Sequence, residues 1–162
     1  MDHYRKQLLI SAPPAAVYRA IATREGLRAW WNEACEADSA IGGQATFRFG
    51  HNRKVMRITN LTPGREVRWH CVEANIEAPG VTRKDEWVGT DMVFKLTPQG
   101  PSNTMLDFEH IGLTPALQCY PICNGGWNYF LGSLQNLAET GKGTPFKAEQ
   151  GVCEGHQALA AA

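Results

Sequence analysis

The chain has 162 residues, of which 43% are hydrophobic and 20% are charged, with 16 Lys and Arg balanced by 16 Asp and Glu. This length fits one domain with a sizeable core, and the zero net charge excludes the basic footprint typical of nucleic-acid binders. No apolar run approaches the roughly 20 residues of a membrane span, and residues 1–6 lack the layout of a secretion signal. We therefore expect a cytoplasmic protein that binds neither nucleic acid nor membranes.

The first part of the chain predicts one strand and two short helices. Residues 4–10 form a short strand, and Pro13-Pro14 then suit the first turn of a helix, where backbone N–H groups lack intrahelical partners. A second helix is predicted over residues 24–31 and ends in Trp30-Trp31. We expect one of these two indoles in the core and the other near the mouth of a cavity.

From Gly42 onward the apolar residues alternate with polar ones, which is the pattern of strands with one covered face. Turn signals at Pro63-Gly64 and at residues 98–103 separate the runs into an antiparallel meander. The polar stretch 73–86 is either a mobile flap or an ordinary long connection. The alternating positions are Ala45, Phe47 and Phe49; Met56 and Ile58; Val67, Trp69 and Cys71; Val88, Thr90, Met92, Phe94 and Leu96; and Leu106, Phe108 and His110.

The last periodic segment is a long amphipathic helix. It is predicted to end at Gly141, and Pro121 with Gly125-Gly126 predicts an irregular lead-in over residues 116–126. We expect a domain over residues 1–144 and a loosely held C-terminal tail over 145–162. The apolar stripe of the helix consists of Trp127, Phe130, Leu131, Leu134, Leu137 and Ala138.

These elements predict an α+β fold in which a curved antiparallel sheet wraps around the long C-terminal helix. Characteristic motifs lie in the segments 10–21, 27–31, 61–69, 104–113 and 126–134. In order and spacing these segments resemble the START-like helix-grip (SRPBCC) superfamily, and within it the branch of homologues of the activator of the heat-shock protein 90 ATPase. The resemblance implies a cavity between the sheet and the helix for small apolar ligands, and it implies no shared set of catalytic residues.

Residues on the predicted covered face are therefore expected to contact a small hydrophobic or amphipathic ligand, with no cofactor. Aromatic side chains with few polar groups are typical of such a pocket, although the same residues could simply fill a core. Tyr120 and His110 are the polar groups expected to set specificity. The expected ligand-binding residues are Phe47, Ile58, Trp69, Met92, Phe94, Phe108, His110, Tyr120, Trp127 and Phe130.

His110 admits two interpretations, because it continues an apolar face where an unpartnered imidazole is costly. It is either a core histidine with satisfied hydrogen bonds or a polar group of the cavity that binds ligand or moves a proton. The first favours a non-catalytic binding protein, and the second favours an enzyme of the polyketide cyclase/aromatase or hydratase kind. A chaperone-interaction module is a third hypothesis, and the chain could also form a homodimer.

The five cysteines are an odd number in a chain without an export signal, so we expect reduced thiols rather than a disulfide framework. None has a recognisable activating neighbourhood in the sequence. Cys71, His110, Cys119 and Cys123 could converge on a metal only with spacings looser than zinc sites use, and Pro121 disfavours a regular helical cysteine pair. We therefore expect no metal.

Overall fold

The structure, a computed structural model, describes residues 3–147. Its strands are β1 (Tyr4–Ile10), β2 (Glu36–Ala37), β3 (Gln44–Phe49), β4 (Asn52–Thr62), β5 (Glu66–Asn75), β6 (Asp91–Pro98) and β7 (Thr104–Ile111), and its helices are α1 (Pro14–Ala22), α2 (Arg24–Trp30) and α3 (Tyr120–Thr140).

All seven strands form one antiparallel sheet in the order β1-β7-β6-β5-β4-β3-β2. The curved sheet and the long C-terminal helix confirm the predicted α+β helix-grip fold. Phe94 lies opposite Phe108, and Trp69 lies opposite Met92, so the inner face carries one continuous apolar layer. Among residues 3–147, none of the helices is long and apolar enough to cross a membrane.

Helix α3 covers the inner face of the sheet, where Trp127 contacts Phe108 with ring centroids 4.4 Å apart. The irregular lead-in predicted over residues 116–126 is wrong from Tyr120 onward, where the chain is already helical. Pro121 lies in the first turn of the helix, where it removes no helical hydrogen bond. Gly141 ends the helix as predicted, with a φ of 86° that glycine adopts without strain.

Two other predicted boundaries differ from the structure. The strand predicted to start at Val88 begins at Asp91, because residues 85–90 form turns and Val88 is exposed. Phe146, predicted to lie in a loosely held tail, is buried against Phe49, and its backbone bonds to Trp31 and Glu33. The remainder of the predicted tail, residues 148–162, lies outside the described residues, and the domain boundary after residue 144 stays a prediction.

Candidate functional site

A cavity of about 30 Å³ lies between the inner face of the sheet, the start of α3 and the β5–β6 loop (residues 76–90). Since one water needs about 10–15 Å³ and an organic ligand about 300 Å³ or more, this cavity is sized for one or two water-sized molecules. An organic ligand would have to displace part of the loop. The lining residues are Trp31, Phe49, Asn52, Lys54, Ile76, Glu77, Ala78, Trp87, Ile122, Cys123, Gly126, Trp127 and Phe130.

Lys54 places a positive charge beside the aromatic rings of the cavity wall. It pairs opposite Phe47 across β3 and β4, so its side chain shares the inner face of the sheet, and the residue is only 6% exposed. Its Nζ lies 4.6 Å from the centre of the Phe49 ring and 4.4 Å from that of Trp87. These are distances at which an ammonium group is attracted to an aromatic face.

Trp87 lies at the centre of the site although it belongs to a loop. Its ring stacks on Trp127 with centroids 5.9 Å apart, and its Nε1–H donates to Cys123 Sγ at 3.2 Å. No periodic pattern points to this residue, because it follows the charged run Arg83–Glu86. Burial of the indole fixes the loop above the cavity.

The β5–β6 loop is fastened to the start of α3 by side chains from both segments. The Glu86 carboxylate accepts the backbone N–H groups of Gln118 and Cys119, each at 3.0 Å. In return, the Gln118 side-chain oxygen accepts the backbone N–H groups of Thr82 and Arg83, each at 2.9 Å. The predicted flap is therefore a hydrogen-bonded cover in this conformation.

His110 is the centre of a closed hydrogen-bond chain. Trp127 Nε1–H donates to His110 Nδ1 at 3.0 Å, which leaves the proton of the neutral ring on Nε2. Nε2 in turn bonds to Thr90 Oγ1 at 2.8 Å, and Thr90 donates its own hydroxyl proton to Trp87 O at 2.6 Å. Both ring nitrogens are thus engaged with protein groups.

The environment of His110 favours its neutral form. Burial lowers its pKa to about 3, and the nearby positive charge of Lys54 acts in the same direction. Because the ring is fully buried and does not line the cavity, this arrangement matches the interpretation of a satisfied core histidine.

Cys119 and Cys123 lie one helical turn apart at the start of α3. The Cys123 N–H donates to Cys119 O at 2.9 Å, so Pro121 does not prevent the regular pair that the sequence disfavoured. The neighbouring Cys119 side chain is the main cause of the lowered pKa of Cys123, and Cys123 in turn raises the pKa of Cys119. Cys123 therefore has neighbours that the spacing of the sequence did not indicate.

The expected ligand-binding residues fall into separate environments. Trp127 and Phe130 line the cavity, Tyr120 is half-buried at the start of α3, and His110 lies behind Trp127. Trp30 is fully buried, and Trp31 lines the cavity but is only 3% exposed, so neither indole has the solvent-exposed edge expected at a cavity mouth. The remaining six pack within the core and do not line the cavity: Phe47, Ile58, Trp69, Met92, Phe94 and Phe108.

Two of the residues that the sequence interpretation missed could have been found from its own patterns. Lys54 continues the alternation of Met56 and Ile58, and Phe49 belongs to the alternating run of β3. Among residues 3–147, no three His, Cys, Asp or Glu side chains gather where they could hold one metal ion.

Comparison with known proteins places the chain in a family. The profile of the family described as "Activator of Hsp90 ATPase homolog 1-like protein" matches residues 11–139. The chain belongs to this family. None of the curated proteins matches the chain.

Solved structures similar to this family member support the same fold. The solution structure of the Aha1 dimer from Colwellia psychrerythraea is 28% identical with a TM-score of 0.72, and the match covers 88% of this chain and 100% of that one. CalU16 from Micromonospora echinospora is 19% identical with a TM-score of 0.63, over 97% of this chain and 85% of that one. DynU16, from the dynemicin biosynthetic locus, is 19% identical with a TM-score of 0.64, over 88% of this chain and 49% of that one.

Proposed function

We propose that this protein binds a small amphipathic molecule, without catalysing a reaction on it, in the cavity between the sheet and α3. The observation that carries the proposal is a cavity wall of aromatic rings into which Lys54 brings one positive charge. The aromatic rings suit the apolar body of a ligand, and the ammonium group suits an anionic or polar end.

The ligand would enter by displacing Ile76, Glu77 and Ala78, the residues of the β5–β6 loop that cover the cavity. Burying about 150 Å² of apolar ligand surface would contribute roughly 4 kcal/mol before ordering costs. The displaced hydrogen bond from the Glu77 N–H to Asn52 Oδ1 and the ion pair of Glu77 with Lys84 at 3.4 Å oppose this opening. We therefore expect weak to moderate affinity and slow entry.

The hydrogen bonds of His110 support a binding role over the cyclase or hydratase alternative. A general base must reach the proton that it removes, whereas both nitrogens of His110 are bonded to Trp127 and Thr90. The chaperone-interaction hypothesis concerns the exterior surface and stays a prediction.

We also propose that the chain forms a homodimer, on the strength of its 28% identity to a protein whose structure is that of a dimer. Light scattering coupled to size-exclusion chromatography would show a mass of twice 17.9 kDa. A mass of one chain across micromolar concentrations would contradict this part of the proposal.

Titration with octanoate and with 1-octanol tests the binding proposal, because the two probes share an apolar tail and differ in charge. Tryptophan fluorescence reports binding, since Trp31, Trp87 and Trp127 line the cavity. We expect octanoate to bind about tenfold more tightly than 1-octanol, and Lys54→Met to remove this difference. Equal affinities for the two probes in the wild-type protein would contradict the assigned role of Lys54.

A matched pair of variants tests whether the probes bind in the cavity. Gly126→Leu adds a side chain larger than the 30 Å³ cavity on α3, which stays in place when the loop moves, and should abolish binding of both probes. Gly132→Leu makes the same change on α3 outside the cavity, at a glycine with open space around it, and should leave binding unchanged. Unchanged affinity in a folded Gly126→Leu protein would refute the cavity as the binding site.

A further inference from the structure

Two thiols at the start of α3 form a pair that the proposed binding role does not use. Cys119 is the residue that precedes the first helical residue, and Cys123 follows it by one turn. Cys119 is fully buried, whereas Cys123 is 7% exposed and lines the cavity. Only the second thiol therefore faces a space that a small molecule can occupy.

The surroundings of Cys123 stabilise a thiolate. Its sulfur accepts the Trp87 Nε1–H at 3.2 Å, and Cys119 lies one helical turn away. The neighbouring Cys119 side chain, the positive charge of Lys54 and the Trp87 hydrogen bond lower the pKa of Cys123, while burial and the Glu86 carboxylate oppose them. The lowering wins, so Cys123 is the thiol of this pair that ionises first.

The other described cysteines have the opposite character. Burial raises the pKa of both Cys35 and Cys71 to about 12, so that these thiols stay protonated near neutral pH. Neither of them lines the cavity. Reactivity among the four described thiols should therefore concentrate at Cys123.

We propose that Cys123 and Cys119 form a peroxide-reactive dithiol, in which Cys123 reacts with hydrogen peroxide in the cavity and Cys119 resolves the product into a disulfide. A cavity of about 30 Å³ admits a molecule with two heavy atoms and excludes organic ligands while the β5–β6 loop stays in place. The proposal is independent of ligand binding, because it uses the closed conformation.

In the first step, the Cys123 thiolate attacks one peroxide oxygen and the O–O bond breaks. The departing hydroxide takes a proton and leaves as water, and Cys123 becomes a sulfenic acid. In the second step, the Cys119 sulfur attacks the Cys123 sulfur, the S–O bond breaks, and a second water leaves with the Cys119 proton. Two thiols and one peroxide thus give one disulfide and two waters, with both electrons supplied by the cysteines.

Disulfide formation requires a local movement of Cys119. Residues four apart on a helix have Cβ atoms about 5–6 Å apart, whereas a disulfide needs about 3.8 Å. Cys119 can move because it precedes the helix interior, but the movement strains the hydrogen bond from its N–H to Glu86. Oxidation would therefore weaken the attachment of the β5–β6 loop to α3.

Peptide mapping after peroxide treatment tests this assignment, because trypsin separates the cysteines of the chain. Cys119 and Cys123 share the peptide of residues 96–142, while Cys35, Cys71 and Cys153 lie on the peptides 29–48, 69–83 and 148–162. Peroxide treatment of the folded protein, followed by unfolding in denaturant with iodoacetamide, should give a 96–142 peptide that is about 2 Da lighter than the reduced form and carries no alkyl group. The peptides of Cys35 and Cys71 should remain fully alkylated.

Single variants separate the two steps. In Cys119→Ser the sulfenic acid at Cys123 should persist and react with dimedone, whereas Cys123→Ser should leave Cys119 alkylated after the same treatment. Cys71→Ser, the matched control, should form the disulfide like the wild-type protein. Oxidation of Cys35 or Cys71 before the pair, or a dimedone adduct at Cys123 in the wild-type protein in place of the disulfide, would overturn the proposal.

Discussion

The buried histidine makes the stability of this protein sensitive to mild acid. His110 has a pKa of about 3 in the folded protein, against about 6.5 in an unfolded chain. Below pH 6.5 the unfolded state therefore binds a proton that the folded state refuses, and the free energy of unfolding falls as the pH falls towards 3. Above pH 6.5 His110 is neutral in both the folded and the unfolded state, and its full contribution to the free energy of unfolding is present.

The size of the effect follows from the two pKa values. Between pH 7 and pH 5, protonation of the unfolded state alone lowers the free energy of unfolding by about 2 kcal/mol. The pKa values of the surface carboxylates Glu77 and Glu139 are also lowered, which moves their titration further from this interval. A variant that removes His110 therefore identifies the share of the change that belongs to this histidine.

Urea denaturation at the two pH values, followed by tryptophan fluorescence, measures this difference. His110→Gln keeps polar atoms near Thr90 and Trp127 but cannot titrate. Between pH 7 and pH 5 its free energy of unfolding should therefore fall by about 2 kcal/mol less than that of the wild-type protein. His51→Gln, which replaces an exposed imidazole, should retain the wild-type loss. An equal decrease in the free energy of unfolding for His110→Gln and the wild-type protein would refute the claim that burial lowers the pKa of His110.

Three further changes probe the contacts around the site. Thr90→Val removes the hydroxyl that bonds to His110 and should lower the free energy of unfolding by about 1–3 kcal/mol in urea, whereas no loss would mean that water replaces the hydroxyl. Glu86→Gln weakens the hydrogen bonds from the Gln118 and Cys119 N–H groups and should cost about 1 kcal/mol, and faster hydrogen exchange at the Cys119 amide would locate the loss. Phe146→Ala should cost about 3 kcal/mol in thermal unfolding, and a loss below about 1 kcal/mol would contradict the burial of its ring.

The fold was predictable because periodicity reports which face of an element is covered. The alternation from Phe47 to His110 and the stripe from Trp127 to Leu134 both appear as buried faces. The start of α3 was harder to predict, since the position of Pro121 in the helix decides whether it breaks hydrogen bonds. That position depends on the Glu86 carboxylate, which comes from a distant loop.

The cavity was only partly predictable from the same patterns. Alternation identifies the inner face but does not tell a residue that fills the core, such as Phe94, from one that lines a space, such as Phe49. Trp87 reaches the site through tertiary packing on Trp127, which no local spacing encodes. The proximity of Cys119 and Cys123 could have been predicted from the sequence if the start of α3 had been placed correctly.

The order of the strands determines when the sheet can be completed. β1 is the first strand of the described chain, yet its partner among residues 3–147 is β7, with Tyr4 opposite His110. On a ribosome that adds about 5–20 residues per second, β1 waits several seconds or more before its partner exists. During this interval α1 can pack on α2, but Ile10 and the part of α1 that contacts β5, β6 and α3 remain uncovered, and pairings so distant in sequence slow folding in general. Newly made chains are thus open to chaperones or to aggregation until α3 has emerged.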